Sequence, residues 1–139
     1  MDEHGWITIP ARMDQVHEAC GFVARVAARH GMDDEGVYRC QLSVEEICTN
    51  IVEHGYENVE RTGKIEIWCF THNETFIIEV IDDAPLFNPL GLPKPDPSTP
   101  LWERSEGGWG ILFVRRFMDR VEYSDSDSRN HFRMEKRLS

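Results

Sequence analysis

Within "LSVEEICTNIVEHGY", residues 42–56, a carboxylate, an amide and an imidazole recur at four-residue intervals: Glu46, Asn50 and His54. Residues four apart on a helix lie one above the other. The Glu46 carboxylate and the Asn50 amide can therefore serve one ligand. A neutral carbonyl oxygen beside a carboxylate suits a hard cation such as Mg²⁺ held together with substrate phosphates. Taken alone, the same spacing fits a solvated helix face better.

Three downstream features change that balance. "EVIDDAPLFNP" ends a strand in Asp82 and Asp83 and turns at Ala84-Pro85. A carboxylate at a strand end can accept from a nucleobase amino group, although an acidic turn is the plainer reading of this stretch in isolation. "EGGWGILFVRRF" sets Gly107, Gly108 and Gly110 at the mouth of a helix. Such glycines let backbone N–H groups approach phosphate oxygens, and the helix N-terminus favours the negative charge. A long proline-rich segment joins the two pieces and is placed to act as a lid over 84–106. There is no G-x-x-x-x-G-K-[ST], which excludes a P-loop. The glycines also lack the preceding strand and following acidic residue of a Rossmann site.

The elements that must carry these residues are legible from periodicity. "GWITIPA" reads as a short strand. Met13 to His30 reads as a helix, with Val16, Ala19, Cys20, Val23, Val26 and Ala27 at three-and-four spacing. Gly31 stops it, and Asp33 or Asp34 caps a second helix running to about Tyr56. "KIEIWCF" and "TFIIEVID" are strands joined by a turn at "THNE". Residues 84–108 hold six of the seven prolines and no period. "WGILFVRRFMDRV" is a third helix, and "RVEYSDS" and "HFRMEKRL" close the chain as an antiparallel pair. Helices and strands segregate rather than alternate, which predicts an α+β two-layer sandwich.

Bulk properties narrow the function. The 139 residues suit one compact domain, and 40 % hydrophobic residues suffice for a core. A net charge of -10 argues against general nucleic-acid binding. Cys20, Cys40, Cys48 and Cys69 form no C-x-x-C pair and read as buried free thiols in a reducing compartment. The N-terminus lacks the apolar run of a signal peptide, and no stretch approaches a membrane span. A cytoplasmic location follows, with no membrane partner.

As an ordered set, these pieces resemble the GHKL ATPases, the superfamily of histidine kinases, gyrase-type ATPases and Hsp90. "VEEICTNIVEHGY" is similar to its N box, "VIDDAPLFNP" to its first glycine box and "EGGWGILFVRRFMD" to its second. Within the superfamily the chain is most similar to the anti-sigma-factor serine/threonine kinases of the RsbW type, over essentially its whole length. The resemblance implies a Bergerat-type ATP-binding fold: a mixed, mostly antiparallel sheet with helices on one face. It implies ATP and Mg²⁺ as cofactors. It makes Glu46 the general base toward a protein hydroxyl, Asn50 the Mg²⁺ ligand and Asp82 the acceptor of the adenine amino group. Gly107, Gly108, Gly110 and Ile111 become the phosphate-facing turn, and Arg104 a partner for phosphate charge. His54 either lines the pocket or packs at the helix end. Ala84 stands where the family carries glycine, adding a methyl beside the nucleotide, and Asn88 stands where aspartate is common.

The implied function is an ATP-dependent protein-serine/threonine kinase acting as an anti-sigma factor and partner-switching regulator. Its implied substrate is a small anti-anti-sigma (STAS-like) protein, its other partner a sigma factor or comparable target, and its assembly a homodimer. Two other readings stand beside it: an ATP-binding adaptor that sequesters a partner without phosphotransfer, and a detached histidine-kinase-like catalytic domain.

Overall fold

A computed structural model describes residues 5–56, 63–91 and 109–139. Among them are five strands and three α-helices: β1 (Trp6–Pro10), α1 (Met13–Arg29), α2 (Asp34–Asn50), β2 (Lys64–His72), β3 (Thr75–Asp82), α3 (Trp109–Phe117), β4 (Arg120–Ser124) and β5 (Asn130–Arg137). The strands form one sheet in the order β1-β2-β3-β5-β4, and every pairing in it is antiparallel. This is the expected α+β sandwich with helices on one face, but among the described residues the sheet is antiparallel throughout rather than mixed.

The local reasons match the residues. The Asp33 carboxylate accepts from the Gly36 N–H at 2.8 Å and so caps α2. Gly31 takes φ 90° between α1 and α2, a backbone that favours glycine. Asn73 and Glu74 both adopt positive φ and turn β2 into β3, the two-residue hairpin whose twist suits the flanking strands.

Period-two alternation then sorts the sheet faces. Ile65, Ile67 and Cys69 of β2, Phe76, Ile78 and Val80 of β3, and Phe132 and Met134 of β5 are buried toward the helices. There they meet Val16, Val23, Cys40, Val44, Ile47 and Val114. All four cysteines are free and buried in this layer. Burial pushes the Cys20 thiol up to about 11 and Cys40 up to about 12, and raises Cys48 and Cys69 as well. Thiols held protonated in this way are poor nucleophiles. The opposite face carries the stacked, part-exposed rings of Trp6 and Trp68.

Two departures from periodicity bear on the site. The regular part of α2 ends at Asn50, and the chain continues as a π turn over Ile51–Gly55. Such turns cluster at functional sites. The inner-face row Ile65, Asp82, Asn130 then ends in polar residues at the open end of β3 and the start of β5.

Candidate active site

Glu46 and Asn50 lie on consecutive turns of α2, and both are half-buried. The face is not simply solvated, because the first turn of α3 covers it. A Cβ at Gly110 would fall 3.0 Å from the Glu46 Oε2 and 3.5 Å from its Cβ. Glycine leaves the Glu46 carboxylate undisturbed here, where an alanine methyl would press on its mobile end. Among the described residues Glu46 and Asn50 make no side-chain hydrogen bond, so both keep their capacity for a ligand. Burial, then the neighbouring charges of Glu45 and Glu53, raise the Glu46 carboxyl above its ordinary range.

A Gly110→Ala substitution is therefore expected to separate activity from stability. The atom that must yield is the mobile end of Glu46, and alanine is the better helix former by about 1 kcal/mol. Thermal melting should show a fold at least as stable, while any turnover that uses Glu46 falls roughly tenfold or more.

Asp82 ends β3 with 6 % exposure. Its Oδ1 accepts from the Ala84 N–H at 2.9 Å and from the Asn130 amide at 2.9 Å. These are its hydrogen bonds among the described residues, which leaves Oδ2 available. Burial raises the Asp82 carboxyl, and the two hydrogen bonds to the ionised form oppose that rise. Next to it, Tyr56 at the end of the π turn donates to Asp83 Oδ1, and the Asp83 N–H reaches the same phenol at 3.3 Å. Asp83 is thus held in a latch between the two boxes, and Asp82 is the better placed of the pair for a base.

Ala84 is buried, and a Cβ built on Gly55 would stand 3.2 Å from its methyl. Gly55 accommodates the methyl that replaces the family's glycine. Asn88 accepts from the Leu90 N–H at 2.9 Å, a bond an aspartate would make equally. Arg115 of α3 donates to the Leu90 carbonyl at 3.2 Å and ties the 3-10 turn at Pro89–Gly91 to that helix. His54 is exposed in the π turn. The Ile111 side chain is buried in the core, so only its backbone can face a phosphate. Arg104, Gly107 and Gly108, and the expected lid beyond Gly91, lie outside the described residues.

The residues fit a nucleotide and one hard cation. An unused acceptor at Asp82 suits an exocyclic amino group. An uncommitted amide at Asn50 suits a cation whose other ligands are phosphate oxygens and water. Among the described residues no three His, Cys, Asp or Glu side chains gather into a metal centre of their own. Sequence reasoning missed Asn130 and Tyr56 as parts of this site. Asn130 had a signal, since it shares its alternation with buried Phe132 and Met134. Tyr56 had none beyond closing the N-box stretch.

Comparison with known proteins bears on the family and the fold. The family model of the histidine kinase-like ATPase domain matches residues 9–136, and the chain belongs to that family. A serine-protein kinase RsbW of Halalkalibacterium halodurans is 25 % identical over 127 residues, covering 86 % of this chain and 74 % of that protein. An RsbW of Bacillus cereus is 29 % identical over 118 residues, covering 82 % and 72 %. Both of these relatives are named serine-protein kinases. In fold it is similar to the RsbU and RsbW domains of a Mycobacterium tuberculosis protein, with TM-score 0.65 and 16 % identity, covering 96 % of this chain and 32 % of that one. A histidine kinase domain from Erythrobacter litoralis gives TM-score 0.54 at 16 % identity, covering 94 % and 62 %.

Proposed function

We propose that this chain is a cytoplasmic, Mg²⁺- and ATP-dependent protein-serine/threonine kinase that acts as an anti-sigma factor in partner switching, and does so as a homodimer. Its substrate is a small anti-anti-sigma (STAS-like) protein, and it holds a sigma factor or comparable target in the alternative complex. The observation that carries the reading is Glu46: a half-buried carboxylate with raised proton affinity, free of hydrogen bonds among the described residues and set against the first turn of α3.

Each residue then has a task. Asp82 orients the base through Oδ2. The backbone of the α3 start receives phosphate charge at a helix N-terminus. Asn50 would hold Mg²⁺ through its carbonyl oxygen, and the ion would supply positive charge against the phosphates. Glu46 accepts the proton of the incoming serine or threonine hydroxyl. A phosphate on the partner adds a charge of about -2 and releases the complex.

A methyl at Ala84 that crowded the nucleotide would favour the adaptor reading. Because Ala84 is buried against Gly55, that methyl gives the adaptor little support. Incubation with labelled ATP, Mg²⁺ and a candidate antagonist tests the proposal. Acid-stable phosphoserine or phosphothreonine is expected. Acid-labile phosphate would point to transfer to histidine, and nucleotide binding without transfer to the adaptor. Separately, Asn50→Ala should weaken Mg²⁺-ATP binding about tenfold or more while leaving Mg²⁺-free nucleotide binding nearly unchanged. Unchanged Mg²⁺-ATP affinity would refute the metal assignment.

A further inference from the structure

Asn130 opens β5 with 8 % exposure, directly across the ladder from Asp82. Its amide is fully engaged. The Nδ2 group donates to Asp82 Oδ1 at 2.9 Å and lies 3.2 and 3.3 Å from the carbonyl oxygens of Ala84 and Pro85. Its Oδ1 accepts from the Phe87 N–H at 3.0 Å and from the Tyr123 hydroxyl. The surroundings fix this orientation, since three acceptors face one end of the amide and two donors the other. One buried side chain therefore closes the turn after β3 and pins the Asp82 carboxylate by a single oxygen.

We infer that Asn130 is the residue that sets base selectivity, by holding Asp82 as a fixed, ionised acceptor that takes a ring amino group and refuses a ring carbonyl. The inference rests on the adenine reading of Asp82. Without the donor from Asn130, a carboxyl this buried has two escapes: it can rotate, or it can keep its proton. A protonated carboxyl is a donor as well as an acceptor, so it also welcomes the carbonyl of hypoxanthine or guanine. Two buried hydrogen bonds fix Oδ1 in place and oppose the rise that burial imposes on the carboxyl.

Other titratable groups also face this carboxyl. They are Cys48 of α2, Tyr56 of the π turn, Asp83 of the same loop, Tyr123 of β4 and His131 of β5. Asp83 raises Asp82 and His131 lowers it, and Asn130 stands between the pocket turn and β4.

The test compares Mg²⁺-ATP with Mg²⁺-ITP, whose base replaces the amino group by a carbonyl. Binding is measured by calorimetric titration between about pH 5.5 and about pH 8.5. The natural chain should prefer ATP throughout. Asn130→Leu should cut the ATP-to-ITP preference about tenfold or more at the acid end, with recovery as pH rises and Asp82 ionises. Asn130→Asp should behave in the opposite sense. It keeps the acceptor for Phe87 and Tyr123 and is nearly isosteric, so it retains the fold. Below the shared titration of the two carboxyls, the introduced group carries a proton and donates to Asp82 as the amide does. Above it, two carboxylates repel and the preference collapses.

Opposite pH slopes for the two variants support the inference. Equal loss of ATP and ITP binding with flat pH profiles would mean a purely structural role and overturn it. Full preference retained in both variants overturns it too. Asp82→Asn, run in parallel, separates the two layers. If that change collapses the preference while the Asn130 variants keep it, only the Asn130 inference falls. If it leaves the preference intact, the adenine reading falls and takes the inference with it.

Discussion

Replacing Glu46 by glutamine is expected to lower phosphotransfer by about 10²- to 10⁴-fold, the usual contribution of a positioned general base, while nucleotide affinity holds. Glutamine keeps the shape of the side chain against Gly110 but cannot take a proton. In the natural protein, single-turnover rate should climb with pH as Glu46 ionises and then level off. The climb should lie above the ordinary glutamate value of 4.5, because burial and the charges of Glu45 and Glu53 raise the group. The glutamine variant should show only a low, flat profile. A variant that turns over at the natural rate would refute the base.

The same substitution makes a second, independent expectation. A carboxyl whose proton affinity is higher in the folded than in the unfolded chain favours folding in acid. That favourable effect fades as pH rises from the ordinary glutamate value through the raised folded one. At neutral pH the ionised Glu46 therefore burdens the fold. Glu46→Gln should melt at a higher temperature than the natural chain near neutrality. The gap should close below about pH 4, where both states are protonated. Loss of activity with a gain in stability is what a functional carboxylate gives, and an inert surface glutamate gives neither.

The sheet and its helices were legible because one face of each element repeats an apolar period. β2, β3 and α1 follow their patterns to within two residues, and the turn at Asn73-Glu74 falls where polar residues interrupt two β-branched runs. The end of α2 was not legible. Ile51 extends the apolar stripe, so periodicity carried the helix on to Tyr56, whereas the backbone widens into a π turn after Asn50. The identity of Glu46 and Asn50 as a pair was legible from spacing, but their half-burial was not. It depends on α3 arriving from about sixty positions downstream and pressing Gly110 onto the helix.

Asn130 escaped for a different reason. It follows a run of Ser, Asp and Arg that reads as turn, and polar residues at strand starts are ordinary. Only its shared face with Phe132 and Met134 marks it as inward-pointing. A buried polar residue in that row calls for a partner, and the partner is Asp82 across the ladder. The two were separable in sequence because 47 residues stand between them, and that separation includes the whole lid and α3.

Asp82→Asn should exchange the nucleotide preference of the site rather than merely weaken it. The side-chain oxygen of the new amide would remain with the Ala84 N–H and the Asn130 amide, because both are donors and need an acceptor. Its NH₂ group would then occupy the place of Oδ2. A donor would face the exocyclic amino group of adenine, itself a donor, and one buried polar group would be left unpaired on each side. Sites built to satisfy a particular hydrogen bond reject the wrong partner by far more than apolar pockets do. Mg²⁺-ATP affinity should fall roughly 100-fold or more, since an unpaired buried group costs about 1–3 kcal/mol and here there are two. Mg²⁺-ITP offers a carbonyl to the same donor and should bind the variant more tightly than ATP does. The fold itself should gain, because a buried carboxylate whose proton affinity is raised is replaced by a neutral group of equal shape. Equal affinities for ATP in the variant and the natural chain would remove Asp82 from the base contact and leave Asp83, latched to Tyr56, as the carboxylate to examine next.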